Sequence, residues 1–221
     1  MRPRREGPRQ RGASSGWTSA GAVTPESGPV ALVSGDMSDT PLIFSHTLES
    51  LMSRAFPKGV PAELKVKLRA LGVDLDKPLL PAYPRDTWAR CIELSAPFSF
   101  PLERREVAWR KLGERMVDGY QDTMIGRAMF STLRLLGPRR MLQRAQKNFR
   151  SGNNYTDVRL TEVGPTVLDV WFNEVDEVLR HFTVGLVTAG MRAGGALEPR
   201  VELVHADTEG ITLRASWKDK A

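Results

Sequence analysis

The spacing of apolar residues changes once along this chain, and that change limits the fold more than any other feature. Up to Phe149, apolar side chains recur every three or four positions, the period of a helix with one buried face. From Tyr155 onward they alternate every second position, the period of a strand with one wet face. The segment Ser151-Gly152-Asn153-Asn154 separates the two regimes with turn-forming residues.

In the first regime, residues 42–47 read as a short strand running into a helix with Leu48, Leu51, Met52 and Ala55 inward. Pro61 opens a second helix, with Val66, Leu68 and Leu71 as its apolar residues and Gly72 as its end. Residues 73–84, with Pro78, Pro81 and Pro84, read as an extended connector. A third helix carries Trp88, Ile92 and Ser95 on one stripe and is expected to close at Pro97 and Pro101. Trp109, Leu112, Met116 and Tyr120 form the next stripe, Ile125, Met129, Leu133 and Leu136 another, and Met141, Ala145 and Phe149 the last. Gly137-Pro138 marks a stop and restart. Gly113, Gly119 and Gly126 interrupt these patterns at about 1 kcal/mol each in helix propensity. They read as breaks between shorter helices, or alternatively as points of close backbone packing.

In the second regime, residues 155–163 and 166–174 read as strands joined at Gly164-Pro165. A helix over 178–193 follows, with Phe182, Leu186 and Ala189 inward and Gly194-Gly195 as its stop. Residues 200–206 and 211–217 form a second hairpin about the turn 207–210. The expected class is α+β: an N-terminal helical layer packed on a C-terminal antiparallel sheet built as hairpin, helix, hairpin. Residues 1–36, rich in Gly, Pro, Ser and Arg without periodicity, read as a disordered leader. Met37 reads as an alternative start, so the expected domain is 37–221.

The net charge of +6 divides into +2 over residues 1–36 and +4 over the remainder, which permits an acidic partner without requiring one. No apolar run is long enough to span a bilayer. The one cysteine, Cys91, excludes an internal disulfide and multi-cysteine zinc, leaving a reducing cytoplasm as the expected compartment. Cys91 itself reads as a small buried residue rather than a nucleophile.

Three groups of side chains carry candidate chemistry. Residues 123–156 contain Arg127, Arg134, Arg139, Arg140, Arg144, Lys147 and Arg150 and no acidic residue. Arg140, Arg144 and Lys147 fall at helical spacing, as for a phosphate-neutralising face or a solvated one. Glu114, Asp118 and Asp122 stand four apart, a stripe that reads as a solvated acidic face paired with neighbouring arginines rather than a metal site. Tyr155, Asp157 and Arg159 fall on one face of the expected strand, as an anion clamp or as a mutually satisfied polar cluster. The histidines His46, His181 and His205 are far apart, and neither a nucleophile elbow nor a phosphate loop accompanies them.

The segments LIFSHTLESLMSRAF, DLDKPLLPAYPRDTW, GYQDTMIGRAMFSTLRLLGPRR and NFRSGNNYTDVRLTEVGP resemble a paralogous family of unknown function expanded in myxobacteria. The resemblance covers about residues 40–217 and implies no activity. More distantly, the order of late elements is similar to the haem-nitric-oxide/oxygen-binding domains, the vinyl-reductase-type ligand-binding domains and the TRAPP vesicle-tethering subunits. Tyr155-x-Asp157-x-Arg159 has the spacing of the haem-binding Y-x-S-x-R motif, with Asp in place of Ser; Gly185-Leu186 and Ser216-Trp217 follow in the same order. No histidine stands between His46 and His181, where that resemblance requires the iron ligand, so no cofactor is expected.

These readings favour a non-enzymatic sensory or adaptor domain, binding a small molecule or a partner protein between helices and sheet. A binder of nucleic acid or an acidic protein through the 123–156 helices is the alternative, and an enzyme with a dispersed site is a third. A homodimer is compatible with all three.

Overall fold

A computed structural model describes residues 40–121, 131, 135 and 137–218. The residues before 40, most of 122–136 and the last three lie outside it. The leader, the stripe from Ile125 to Leu136, Arg127, Arg134, Gly126 and Asp122 therefore lie outside the described residues.

Strand β1 (Leu42–Phe44) pairs antiparallel with β2 (Ala82–Pro84). Between them run helices α1 (Ser45–Ala55) and α2 (Ala62–Ala70). Helix α3 (Arg85–Ser99) and helix α4 (Arg105–Gln121) complete the helical layer. Residues 137–143 are helical, and α5 (Ala145–Arg150) continues after a turn at Arg144. Strands β3 (Val158–Gly164) and β4 (Val167–Phe172) form the first hairpin, α6 (Glu177–Ala193) crosses over, and β5 (Leu197–Ala206) and β6 (Ile211–Lys218) form the second. The four-stranded sheet has the order β3-β4-β6-β5, antiparallel throughout. Helices first and an antiparallel sheet last make the class α+β.

Strand β6 shows why the alternation fixes the sheet. Ile211, Leu213, Ala215 and Trp217 are buried while the residues between them are not, so a register slip of one would expose the whole set. Helix α6 is buried on most of its circumference and is capped by the Asp176 side chain, which accepts from the Leu179 amide at 3.0 Å. It packs into both parts of the core. Its N-terminal half contributes Leu179 and Phe182 to a helical cluster with Leu48, Trp88 and Trp109. Its C-terminal half contributes Val184, Val187 and Met191 to a second cluster against Leu168, Phe172 and Leu213 of the sheet.

Four local expectations are corrected. Pro97 lies inside α3, on its exposed side, and the helix runs on to Ser99 despite the amide it lacks. Val66 is 62% exposed, and α2 instead buries Leu64 and Leu68. Strand β3 begins at Val158, so Tyr155 to Asp157 are irregular backbone ahead of it. Gly113 and Gly119 do not break α4, which is continuous through both.

These glycines are packing positions. A Cβ at Gly113 would sit 2.3 Å from the Phe182 carbonyl oxygen, and one at Gly185 would sit 2.0 Å from that of Arg110. The two helices thus meet backbone to backbone, each glycine receiving the other helix's carbonyl. A Cβ at Gly119 would strike the Arg54 side chain, which lies across α4 at that point.

Gly185→Ala is expected to lower stability by about 1–3 kcal/mol through overpacking, although alanine is the better helix former. Gly190→Ala on the same helix would meet only Met141 Cε, at 3.6 Å, and is expected to be neutral or to gain up to about 1 kcal/mol. Urea midpoints of the two variants separate the crossing from propensity; equal shifts would refute the packing account.

Candidate functional site

A cavity of about 610 Å³ lies where the two core clusters meet. Ile43, Trp88 and Phe182 of the helical cluster line it, as do Leu142, Phe172 and Val187 of the sheet cluster. Its size and largely apolar wall are those of a small-molecule site.

The loop between α5 and β3 forms part of this wall, and it is tied down by its own asparagines. Asn153 Oδ1 accepts from the amides of Tyr155 and Thr156, and Asn154 Oδ1 accepts from that of Leu42 at 2.7 Å. The Thr47 hydroxyl donates to the Gly152 carbonyl, and His46 Nε2 lies 3.0 Å from that of Ser151. Beyond β4, Asn173 accepts from the Asp157 amide and donates to the Tyr155 carbonyl. Tyr155 is therefore held from both directions with its ring in the cavity wall.

Beside it is a polar pair that the sequence patterns do not announce. Arg85, the first residue of α3, donates to Glu174 Oε1 across 89 positions of sequence, and the Asp176 amide donates to the same oxygen. The Arg85 guanidinium lies 5.8 Å from the Tyr155 ring centroid. Glu174 is only 8% exposed. Burial raises its carboxyl above the usual glutamate range, against the pull of Arg85. Burial alone would lower Arg85, but the charge and hydrogen bond of Glu174 hold it up. Burial, with Glu174 nearby, pushes the Tyr155 phenol up, so it remains a neutral hydroxyl.

Of the three residues expected on one strand face, Tyr155 alone lines the cavity. Asp157 pairs with Arg150 at 2.6 Å, and Arg159 lies over the Trp171 ring on the neighbouring strand at 4.3 Å. The structure does not bring them together, because the alternation that would align them starts only at Val158. Arg85 and Glu174, not Asp157 and Arg159, accompany Tyr155.

The five basic-surface candidates divide similarly. Arg139 binds Glu162 and the carbonyls of Gly164 and Pro165, holding the first hairpin's turn. Arg150 binds the Thr156 and Asn154 carbonyls together with Asp157. Arg140, Arg144 and Lys147 are exposed, but the turn at Arg144 interrupts the helical face they were expected to share. In the acidic stripe, Glu114 and Asp118 both reach Arg192 of α6, and Glu114 also pairs with Arg110. Among the described residues no group of three or more His, Cys, Asp or Glu side chains is arranged to hold a metal. His181 packs by the Trp109 ring and His205 pairs with Asp207. The Cys91 thiol is buried in α3, which pushes it up to about 12. No helix among the described residues is long and apolar enough to cross a membrane.

Arg85→Met leaves a buried carboxylate without its partner and is expected to cost about 3–5 kcal/mol near pH 8. Folded Glu174 holds its proton more tightly than unfolded Glu174, so its contribution to stability is full below the ordinary glutamate range. That contribution is lost as pH rises through the elevated value. Removing Arg85 raises that value further, so the variant should recover stability between pH 8 and pH 5 more steeply than the parent. Urea unfolding at both pH values measures this; an equal deficit at both would show that Glu174 is not the cause.

The architecture has counterparts among solved structures. The chain is similar to the Fe(II) unliganded H-NOX protein from K. algicida, with TM-score 0.56 and 11% identity over 80% of this chain and 98% of that one. It is also similar to a variant of the Tt H-NOX protein, with TM-score 0.57 and 12% identity over 81% and 97%. At such identity the likeness establishes the fold alone. A search of curated proteins finds no match. The family model described as "Protein of unknown function (DUF2378)" matches residues 41–218, nearly all that is described above, and the chain belongs to that family.

Proposed function

We propose that this protein is a non-enzymatic sensory or adaptor domain that binds a small, mostly apolar molecule between its helical layer and its sheet. The observation that carries this reading is the position of the cavity. It sits at the seam between two otherwise close-packed clusters and is bordered by α1, α3, α4, α5 and α6. A ligand there touches both layers, so its binding energy bears on how they pack.

H-NOX structures of this fold concern haem, and the residues here do not fit that group. His46 alone of the histidines borders the cavity, and its side chain is exposed at the rim, with Nε2 donating to the Ser151 carbonyl and Nδ1 left as its one acceptor. Residues 122–136 contain no histidine, cysteine or tyrosine. The haem carboxylates would need cations at the wall. Arg159 is stacked on Trp171 outside the cavity, and Arg85 is already matched to Glu174. The cavity therefore serves a different ligand on the same scaffold.

The test is titration with N-phenyl-1-naphthylamine, a neutral apolar dye that fluoresces on leaving water. Saturable enhancement at one dye per chain is expected, and Val187→Trp, which projects bulk into the cavity, should weaken it at least about ten-fold. Absence of saturable binding to the parent protein would overturn the reading.

A further inference from the structure

Resting on the ligand-binding reading, we infer that the cavity selects an uncharged amphiphile, an apolar body carrying a hydroxyl-type head seated between Glu174 and Tyr155. The hydrogen-bonding capacity left over at the polar end points to it. Glu174 Oε1 already accepts from Arg85 and from the Asp176 amide, whereas Oε2 takes no hydrogen bond from the described residues. The Tyr155 phenol likewise has no partner among them, and the Thr183 hydroxyl in the same wall has none. Apolar side chains such as Met116, Leu186 and Val187 make up most of the wall, and Ser50, Asn148 and Asn173 are among its other polar members. These groups open onto the cavity, so a ligand that fills it must replace their hydrogen bonds to water, and one that cannot match them loses free energy.

The head group follows from the donors and acceptors. A carboxylate only accepts, so Glu174 Oε2 calls for a donor; a phenol that stays protonated has a hydrogen to give, so Tyr155 calls for an acceptor. An alcohol hydroxyl is both. A charged head of either sign fares worse, because Arg85 and Glu174 form a pair. A ligand carboxylate would approach Glu174, a like charge, and a ligand ammonium would meet a carboxylate that Arg85, behind the wall, already neutralises. Either would give up its hydration shell for a site with no free counter-charge.

The probes are 1-decanol and decanoate, of equal chain length, competing with bound N-phenyl-1-naphthylamine at pH 8. Decanol is expected to displace the dye at a concentration at least roughly ten-fold below that for decanoate. Tyr155→Phe removes only the phenol hydroxyl and should raise the decanol requirement, scaled to the dye's own affinity for the same variant, by about 3- to 10-fold. Glu174→Gln should narrow the gap between the two competitors. If the dye binds but decanoate displaces it as readily as decanol, the head-group assignment is overturned while the ligand-binding reading stands. An unchanged decanol requirement in Tyr155→Phe would equally overturn the proposed seat. If the dye does not bind the parent protein, the ligand-binding reading itself fails, before any competitor is added.

Discussion

The contact on which the rest of the molecule depends is the crossing of α4 and α6 at Gly113 and Gly185. Each glycine admits a carbonyl of the other helix, bringing the backbones closer than any side chain would allow. The contact joins the helical layer to the element that also carries the sheet's core. Helix α6 belongs to both clusters, so whatever fixes α4 against it fixes one cluster against the other. The ion pairs from Arg192 to Glu114 and Asp118 extend the same crossing at the surface. Exposed pairs of this kind contribute little by themselves, and the close packing carries the weight.

The cavity is a consequence of where that contact falls. Past the crossing, Met116 and Val117 of α4 and Leu186, Val187 and Gly190 of α6 line open space. Interiors pack to crystal-like density unless something prevents it. Here the tied loop at 151–156 and Ile43 of the short strand β1 set the far wall. Their asparagine hydrogen bonds fix Tyr155 at a distance from α6 that no collapse of apolar side chains can shorten without breaking them.

How much of this was legible in the sequence depends on the range of the interaction. The change of period, the two hairpins, α6 and the alternating face of β6 are local patterns, and the structure follows them closely. The strand face at Tyr155, Asp157 and Arg159 misleads because a two-residue period counts only where the chain is extended and paired; the Asn153 turn delays pairing until Val158. At Gly113 the pattern offered a helix break or a close packing point and could not choose, because the deciding partner, the Phe182 carbonyl, lies on another helix. Arg85 and Glu174 share no spacing at all. The one signal that could have led to Glu174 is slight: an acidic residue between the apolar end of β4 and the cap of α6, where one carboxylate, Asp176, already serves the helix.

The Arg85–Glu174 pair also bears on purpose. A buried ion pair is usually no better for stability than apolar residues of the same volume, because the loss of hydration offsets the attraction. At the end of a wall lined by methionine, leucine, valine and phenylalanine, apolar replacements would pack well and leave nothing unsatisfied. The pair instead keeps one carboxylate oxygen and, beside it, a phenol without hydrogen-bond partners among the described residues. Such a departure from the best packing is what the proposed ligand site requires, since a seat for a polar head needs donors and acceptors that the protein does not itself use up.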